Sequence, residues 1–223
     1  MTSGFRIVRG WQRPSNNIVD AFSAVPTAII SDNMHRLFAA GAGLRPIHRQ
    51  GGLCGPALTV RTRPGDNLMV HKALDLAQPG DVIVVDAGGD TTNAIIGEIM
   101  WSYARARGLA GFVIDGSVRD VAALSSGGLP VYARGATHRG PYKDGPGEIG
   151  VAVSVGGMVV APGDIMVGDQ DGVLAVPQAE AQDILALAQA QQAQEAAILR
   201  SIADGTIDRS WVDRVLAGKG LQP

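Results

Sequence analysis

Between residues 80 and 135, short apolar runs alternate with amphipathic stretches, and this pattern restricts the fold more than any other feature. Asp81-Val-Ile-Val-Val-Asp86 is bounded by Pro79-Gly80 and Gly88-Gly89, and it reads as a strand buried on both faces. Residues 91–108 carry Ala94, Ile95, Ile99, Met100, Tyr103 and Ala104 at helical spacing, and Gly108 is placed as the C-terminal stop. Gly111-Phe-Val-Ile-Asp115 is a second buried strand, closed by Gly116. A short helix is expected over 118–126, and a further strand over Val131-Tyr-Ala-Arg134. Parallel neighbours in a sheet can be joined only through a long crossover, so this order predicts parallel β-α-β units in an α/β fold.

The flanks are less regular. Residues 11–40 suggest two helices separated by Pro26, residues 51–63 a strand, and residues 67–76 a short helix. Residues 151–160 and 165–176 are β-rich with Gly-Gly and Gly-Asp turns, and Pro177 ends the last strand. A long Ala/Gln-rich helix follows over 179–203, then a short polar tail with Trp211, Val212, Val215 and Leu216. A single domain over 1–223 is expected, with an α/β core at about 20–177 and a C-terminal helix and tail at 178–223. Pro-Gly-Asp recurs at 64–66, 79–81 and 162–164, which predicts one turn type reused at strand entrances, its Asp bonding the local backbone.

The charge balance narrows the function. The formal net charge is −2 and there is no basic run, which argues against a nucleic-acid partner and for a small-molecule or protein one. Cys54 is the only cysteine, so no internal disulfide can form; this fits a reducing cytoplasm, and a buried, inert thiol is expected. No apolar run approaches the roughly 20 residues that span a bilayer, and the N-terminus lacks a signal-peptide core.

Ligands of α/β sheets collect at the carboxyl ends of the parallel strands. The strand at 81–86 runs into Asp86-Ala-Gly-Gly-Asp90, and the strand at 111–115 into Asp115-Gly-Ser-Val-Arg-Asp120. If these strands are neighbours, Asp86, Asp90, Asp115, Arg119 and Asp120 surround one crevice, a set suited to Mg²⁺ plus an anion. The alternative is local: Asp86 and Asp115 cap turns, and Arg119–Asp120 is an ion pair on a surface helix. Gly97 lies inside a helical pattern, where it costs about 1 kcal/mol against Ala. Either the helix begins there, so that Gly97, Glu98, Ile99 and Met100 present free amides to an anion, or Gly97 permits close helix–sheet packing. The Asp86 loop lacks G-x-G-x-x-G and is only faintly like an S-adenosylmethionine site. His35, His48, His71 and His138 show no metal-ligand spacing, although His138 could reach the crevice rim.

Taken together, Pro79-Gly-Asp-Val-Ile-Val-Val-Asp86, Gly97-Glu-Ile-Met100, Val113-Ile-Asp-Gly-Ser-Val-Arg-Asp120 and Gly168-Asp-Gln-Asp-Gly-Val-Leu-Ala-Val-Pro177 resemble a known family. It is the family shared by the class II 4-hydroxy-4-methyl-2-oxoglutarate aldolases and the regulator of ribonuclease E activity A. The likeness covers roughly residues 20–200. It implies a swivelling β/β/α domain, assembled as a homotrimer or a hexamer, and a divalent metal, Mg²⁺ or Mn²⁺. In the aldolase branch a glycine opens a backbone clamp for the pyruvyl carboxylate. An arginine 22 positions later holds the substrate, and the next residue, an aspartate, holds the metal; Gly97 to Met100, Arg119 and Asp120 keep that spacing. The regulator branch typically lacks the acid, so Asp120 favours a metal-dependent carbon–carbon lyase over a non-catalytic regulator with a protein partner. The expected reaction is retro-aldol release of pyruvate from a 4-hydroxy-2-oxo acid, with oxaloacetate decarboxylation as a side activity. The family also uses a C-terminal acid from the neighbouring subunit, for which Glu195 is the candidate; a solvated helix face is the other reading. Arg63-Pro-Gly-Asp-Asn-Leu-Met and Thr137-His-Arg-Gly-Pro-Tyr resemble only part of the family and mark a subgroup with its own substrate.

Overall fold

The structure, a computed structural model, describes residues 4–221. The chain opens with β1 (Phe5–Ile7), α1 (Asn16–Ser23), α2 (Thr27–Asn33), β2 (Arg45–Pro46) and β3 (Leu53–Thr62). The middle holds α3 (Leu68–Leu76), β4 (Val82–Asp86), β5 (Ala94–Ile96), α4 (Glu98–Ala106), β6 (Gly111–Val118), α5 (Val121–Ser126) and β7 (Val131–Ala136). It closes with β8 (Gly147–Ile149), β9 (Val153–Val155), β10 (Met158–Val160), β11 (Ile165–Gly168), β12 (Val173–Val176), α6 (Ala181–Ala203) and α7 (Ser210–Gly218).

The main sheet runs β1-β8-β3-β4-β6-β7-β2. Its centre, β3-β4-β6-β7, is parallel throughout, as the strand–helix alternation requires. Antiparallel strands close it at both sides: β8 on β3, β2 on β7, and the β11–β12 pair folded onto the start of β3. Pleat alternation then sorts the apolar residues. Ile83, Val85, Phe112 and Ile114 face α3, α4 and α5, where they meet Leu74, Trp101, Ala104 and Leu124. Val82, Val84 and Val113 face the β9–β10 hairpin through Val153, Val155 and Met158. A third cluster joins Phe22 and Ile30 to Ile165, Val176, Ile184 and Ala188, and this anchors α6. Among the described residues no helix is long and apolar enough to cross a membrane.

Three expectations change. The helix expected over 91–108 divides: Ala94–Ile96 is a short strand beside β6, and the helix starts only at Glu98. All three residues of β5 are buried, and the Ile-Ile pair fits an extended, packed edge better than a helix turn. The apolar face moves accordingly, to Met100, Trp101 and Ala104, while Ile99 is 81% and Tyr103 47% exposed. The strand expected to end at Asp115 continues to Val118, which shortens the following helix to Val121–Ser126. The polar tail contains the helix α7.

The Pro-Gly-Asp turns behave as one device. Gly65, Gly80 and Gly163 all have positive φ, at 73°, 88° and 91°. The aspartates that follow accept from nearby backbone amides, of Leu68, Gln78 and Ala161 respectively.

Candidate active site

Parallel pairing of β5 with β6 brings two chain segments out of the sheet side by side. Ala94 is opposite Ser117 and Ile96 opposite Val118, and the Arg119 amide donates to the Ile96 carbonyl at 3.0 Å. One segment continues through Gly97 into α4, the other through Arg119-Asp120 into α5. Gly97 is the residue before α4, extended at φ −144° and ψ −168°, and the Trp101 amide donates to its carbonyl at 3.1 Å. The next three amides precede any intrahelical acceptor. Glu98 donates to Asp120 Oδ2 at 2.9 Å, and the Ile99 and Met100 amides have no acceptor among the described residues.

Asp120 sits in the left-handed region at φ 58° and ψ 40°, a conformation that a non-glycine residue rarely adopts. Its carbonyl accepts from Ala123 and Leu124 in α5, while its carboxylate is directed away from that helix toward α4. Gly97 stands at the helix start, and the close contact it permits is not the helix–sheet one expected. A Cβ there would lie 2.5 Å from Asp120 Oδ2 and 2.9 Å from Arg119 Cγ and Nε. The close neighbour is therefore the Arg119–Asp120 pair, not the sheet. Arg119 Nε is 3.6 Å from Asp120 Oδ2, with both side chains about two-fifths exposed.

Arg119 forms a wall shared by two hollows. One is lined by Asp120, Val121, Ala136, Thr137 and His138, with His138 exposed at its edge. The other lies toward α3 and is lined by Asn67, His71, Gly97, Met100 and Lys143 among others. There the His71 imidazole is held below its ordinary pKa, first by burial and then by the Lys143 ammonium. Asn67 is 2% exposed; its Nδ2 donates to the Ile95 carbonyl at 2.8 Å, and its Oδ1 is buried with no partner among the described residues. Composition and spacing did not single out His71 or Lys143 for this place. The one available signal was the pair of unusual segments at 63–69 and 137–142, and these now meet: Asn67 donates to the Tyr142 carbonyl, and Tyr142 to the Gly65 carbonyl.

The wider carboxylate ring does not form. Asp115 is buried, paired with Arg134 Nε, and accepts from the Gly156 amide. Asp86 accepts from the amides of Gly88 and Ser154, and Asp90 from Thr92. Asp86 and Asp90 accept within their own turns, the turn-capping alternative expected for Asp86, whereas Asp115 lies inside β6 and is held by donors from distant segments; among the described residues no three His, Cys, Asp or Glu side chains are grouped to hold a metal. Asp120 alone remains beside Arg119. Glu195 lies on the exposed side of α6, where it accepts from Gln191 Nε2 at 2.9 Å, and it lines neither hollow beside Arg119. Burial, and then the charge of Asp20, push the Cys54 thiol up to about 12, which leaves it inert.

A parallel-centred α/β sheet with a C-terminal helix, carrying an open helix start beside an Arg-Asp pair, defines the class of protein: an α/β protein of the RraA fold. Residues 27–175 match the RraA-like family, described as Aldolase/RraA, and the chain belongs to that family. A curated relative from Halalkalibacterium halodurans is 38% identical over 90% of this chain and 96% of its own; it carries the provisional name 4-hydroxy-4-methyl-2-oxoglutarate aldolase. A Streptomyces coelicolor structure, described as an unusual member of the RNase ES inhibitor RraA family, aligns with a TM-score of 0.77 at 30% identity, covering 84% of this chain and 98% of that one. The RNA-processing inhibitor RraA from Thermus thermophilis aligns with a TM-score of 0.63 at 32% identity, covering 68% and 92%.

Proposed function

We propose that this chain is a divalent-metal-dependent lyase. It would cleave a 4-hydroxy-2-oxo acid of the 4-hydroxy-4-methyl-2-oxoglutarate type to pyruvate and a second carbonyl compound, with oxaloacetate decarboxylation as a side reaction. The observation that carries this reading is the juxtaposition of the unpartnered Ile99 and Met100 amides, the Arg119 guanidinium and the Asp120 carboxylate. The name of the Halalkalibacterium relative supports it.

The donor set suits a hard cation. Asp120 commits Oδ2 to the Glu98 amide, and its Oδ1 has no partner among the described residues. Mg²⁺ usually keeps several waters and binds through one or two carboxylates, so Asp120 would hold it or Mn²⁺. When bound, the cation supplies Lewis-acid stabilisation of the charge that develops on the oxo acid.

The residues then divide the work. The substrate carboxylate lies at the start of α4, held by the Ile99 and Met100 amides and favoured by the helix dipole. Arg119 donates to the C2 oxygen, whose negative charge grows as the C3–C4 bond breaks. The C4 hydroxyl proton passes to a base while the C3–C4 electron pair moves into the enolate, which is then protonated at C3 to give pyruvate. Glu195 of a neighbouring copy is the proposed acid–base partner, in keeping with a homotrimer or a hexamer in the cytoplasm. A second reading, a non-catalytic regulator that binds a protein partner, is favoured by the likeness to the Streptomyces and Thermus RraA proteins, described as inhibitors of RNA processing.

Pyruvate release separates the two. Purified protein is incubated with 4-hydroxy-4-methyl-2-oxoglutarate and, separately, with oxaloacetate, with Mg²⁺ and then with EDTA, and pyruvate is followed through lactate dehydrogenase. Metal-dependent release above the metal-only background is expected. Its absence with both substrates removes the lyase reading.

A further inference from the structure

We propose that a hollow under the N-terminal segment 7–13 binds a small amphiphilic anion, a monocarboxylate on an apolar body, and that Arg9 receives its charge. The hollow lies at the far end of α3 from Asn67 and His71, and it shares no lining residue with the two hollows beside Arg119. Its roof precedes the segment 27–175 that matches the family, so it stands apart from the site described above and does not depend on the lyase reading.

The roof is an arch fixed at both ends. The Val8 amide donates to the Ile149 carbonyl at 2.9 Å and so continues the β1–β8 pairing. At the other end the Gln12 carbonyl packs against Gly163, which leaves no room for a Cβ there. Arg13 then clamps Asp81, through Nε to Oδ1 at 3.0 Å and through Nη2 to Oδ2 at 2.8 Å. Between these anchors the chain turns at Gly10, with φ 85°, and the amides of Arg9, Gly10 and Trp11 have no acceptor among the described residues.

The lining has an apolar floor and a cationic mouth. Leu58 and Ile149, both almost fully buried, form the floor with Leu76, and an apolar body laid on them is removed from water. Arg9 and Arg13 also line the hollow, and no acidic side chain does. Their states differ. Arg13 is balanced by the fully buried Asp81, and its guanidinium is stacked over the Trp11 ring at 4.1 Å, so it is held in place on two sides. Arg9 is exposed and pairs with no carboxylate among the described residues, so one positive charge is left over at the mouth. A single carboxylate balances that charge and accepts from a planar fork. Inorganic phosphate would leave the apolar floor unused, and a neutral ligand would leave Arg9 unbalanced. The volume of about 260 Å³ lies just under the roughly 300–1,000 Å³ of drug-sized pockets, which suits a single ring or a short chain.

Benzoate is the probe, with acetate as the charged head alone and benzyl alcohol as the apolar body alone. Calorimetry on the full chain in EDTA is expected to show benzoate binding in the millimolar range or tighter, at least about 10-fold tighter than either control. Arg9→Ala should weaken it about 10-fold at an unchanged thermal midpoint, since Arg9 is exposed, and Arg9→Lys should weaken it less. A carboxylate also suits the start of α4, so Arg119→Ala is measured alongside. Benzoate binding that falls in Arg9→Ala and survives in Arg119→Ala supports the site. Any other pattern in this pair of variants overturns it, as does equal affinity for benzoate and its controls, or no binding at tens of millimolar.

Discussion

Asp120 caps a helix that is not its own: its Oδ2 accepts from the Glu98 amide at 2.9 Å, 22 residues back in the chain. The contact exists because β5 and β6 run parallel and release α4 and α5 at the same edge. One oxygen is thereby fixed and the other left toward the crevice, so cap and proposed metal ligand are the same side chain. Two substitutions separate these roles. Asp120→Ala loses both and is expected to cost about 1 kcal/mol of stability, as for a lost N-cap, together with at least about 100-fold in pyruvate release. Asp120→Asn keeps an acceptor oxygen for Glu98, so its thermal midpoint should stay near wild type while activity and Mg²⁺ affinity fall. Retained turnover in Asp120→Asn would count against metal binding at this residue.

Gly97→Ala tests the closeness of the two segments. The new methyl would sit 2.5 Å from Asp120 Oδ2 and 2.9 Å from Arg119 Nε, so Arg119 and Asp120 must move. Overpacking of this kind costs about 1–3 kcal/mol. The larger expected effect is a fall in kcat/KM of more than about 10-fold, since small displacements of positioning groups are expensive. Denaturant unfolding and steady-state kinetics on the same preparation would show whether activity falls further than stability.

Arg119→Lys keeps the charge and loses the planar fork. Lysine offers a point charge from a flexible stem, and cannot hold the C2 oxygen with the fixed geometry of the guanidinium fork. A drop of about 100-fold in kcat/KM is expected, with the unfolding midpoint nearly unchanged because the side chain is 41% exposed. Kinetics close to wild type would show that the charge alone is enough.

Cys54 should be silent in the native protein. Its thiol is pushed up to about 12, chiefly by burial, so at pH 8 almost none is thiolate, and raising the pH toward 9 brings little reactivity. A disulfide exchange reagent is expected to leave it unlabelled at pH 8 and to titrate one thiol per chain after denaturation. Rapid native labelling would show that the start of β3, where Cys54 pairs with β11, opens.

The parallel centre of the sheet was legible because a strand buried on both faces must be apolar throughout, and Val82–Val85 and Phe112–Ile114 are. The spacing of Gly97, Arg119 and Asp120 was legible through family resemblance. Their pairing in space was not, since it depends on β5, and Ala-Ile-Ile fits a buried strand or the buried face of a helix equally well at so short a length. Spacing could not decide the fate of the other aspartates either. Asp115 looks as suitable a ligand as Asp120 until folding brings Arg134 and the Gly156 amide against it, and Asp86 is satisfied in part by Ser154, 68 residues away. Lys143, His71 and Arg119 come from three separate segments and share a hollow only because buried Asp66 ties one of the loops to α3. The sequence by itself thus determined the periodic elements, because apolar burial is encoded residue by residue. Which polar groups meet, and which of them stay unpaired for a ligand, only the tertiary structure decided, because a hydrogen bond depends on partners that local sequence does not contain.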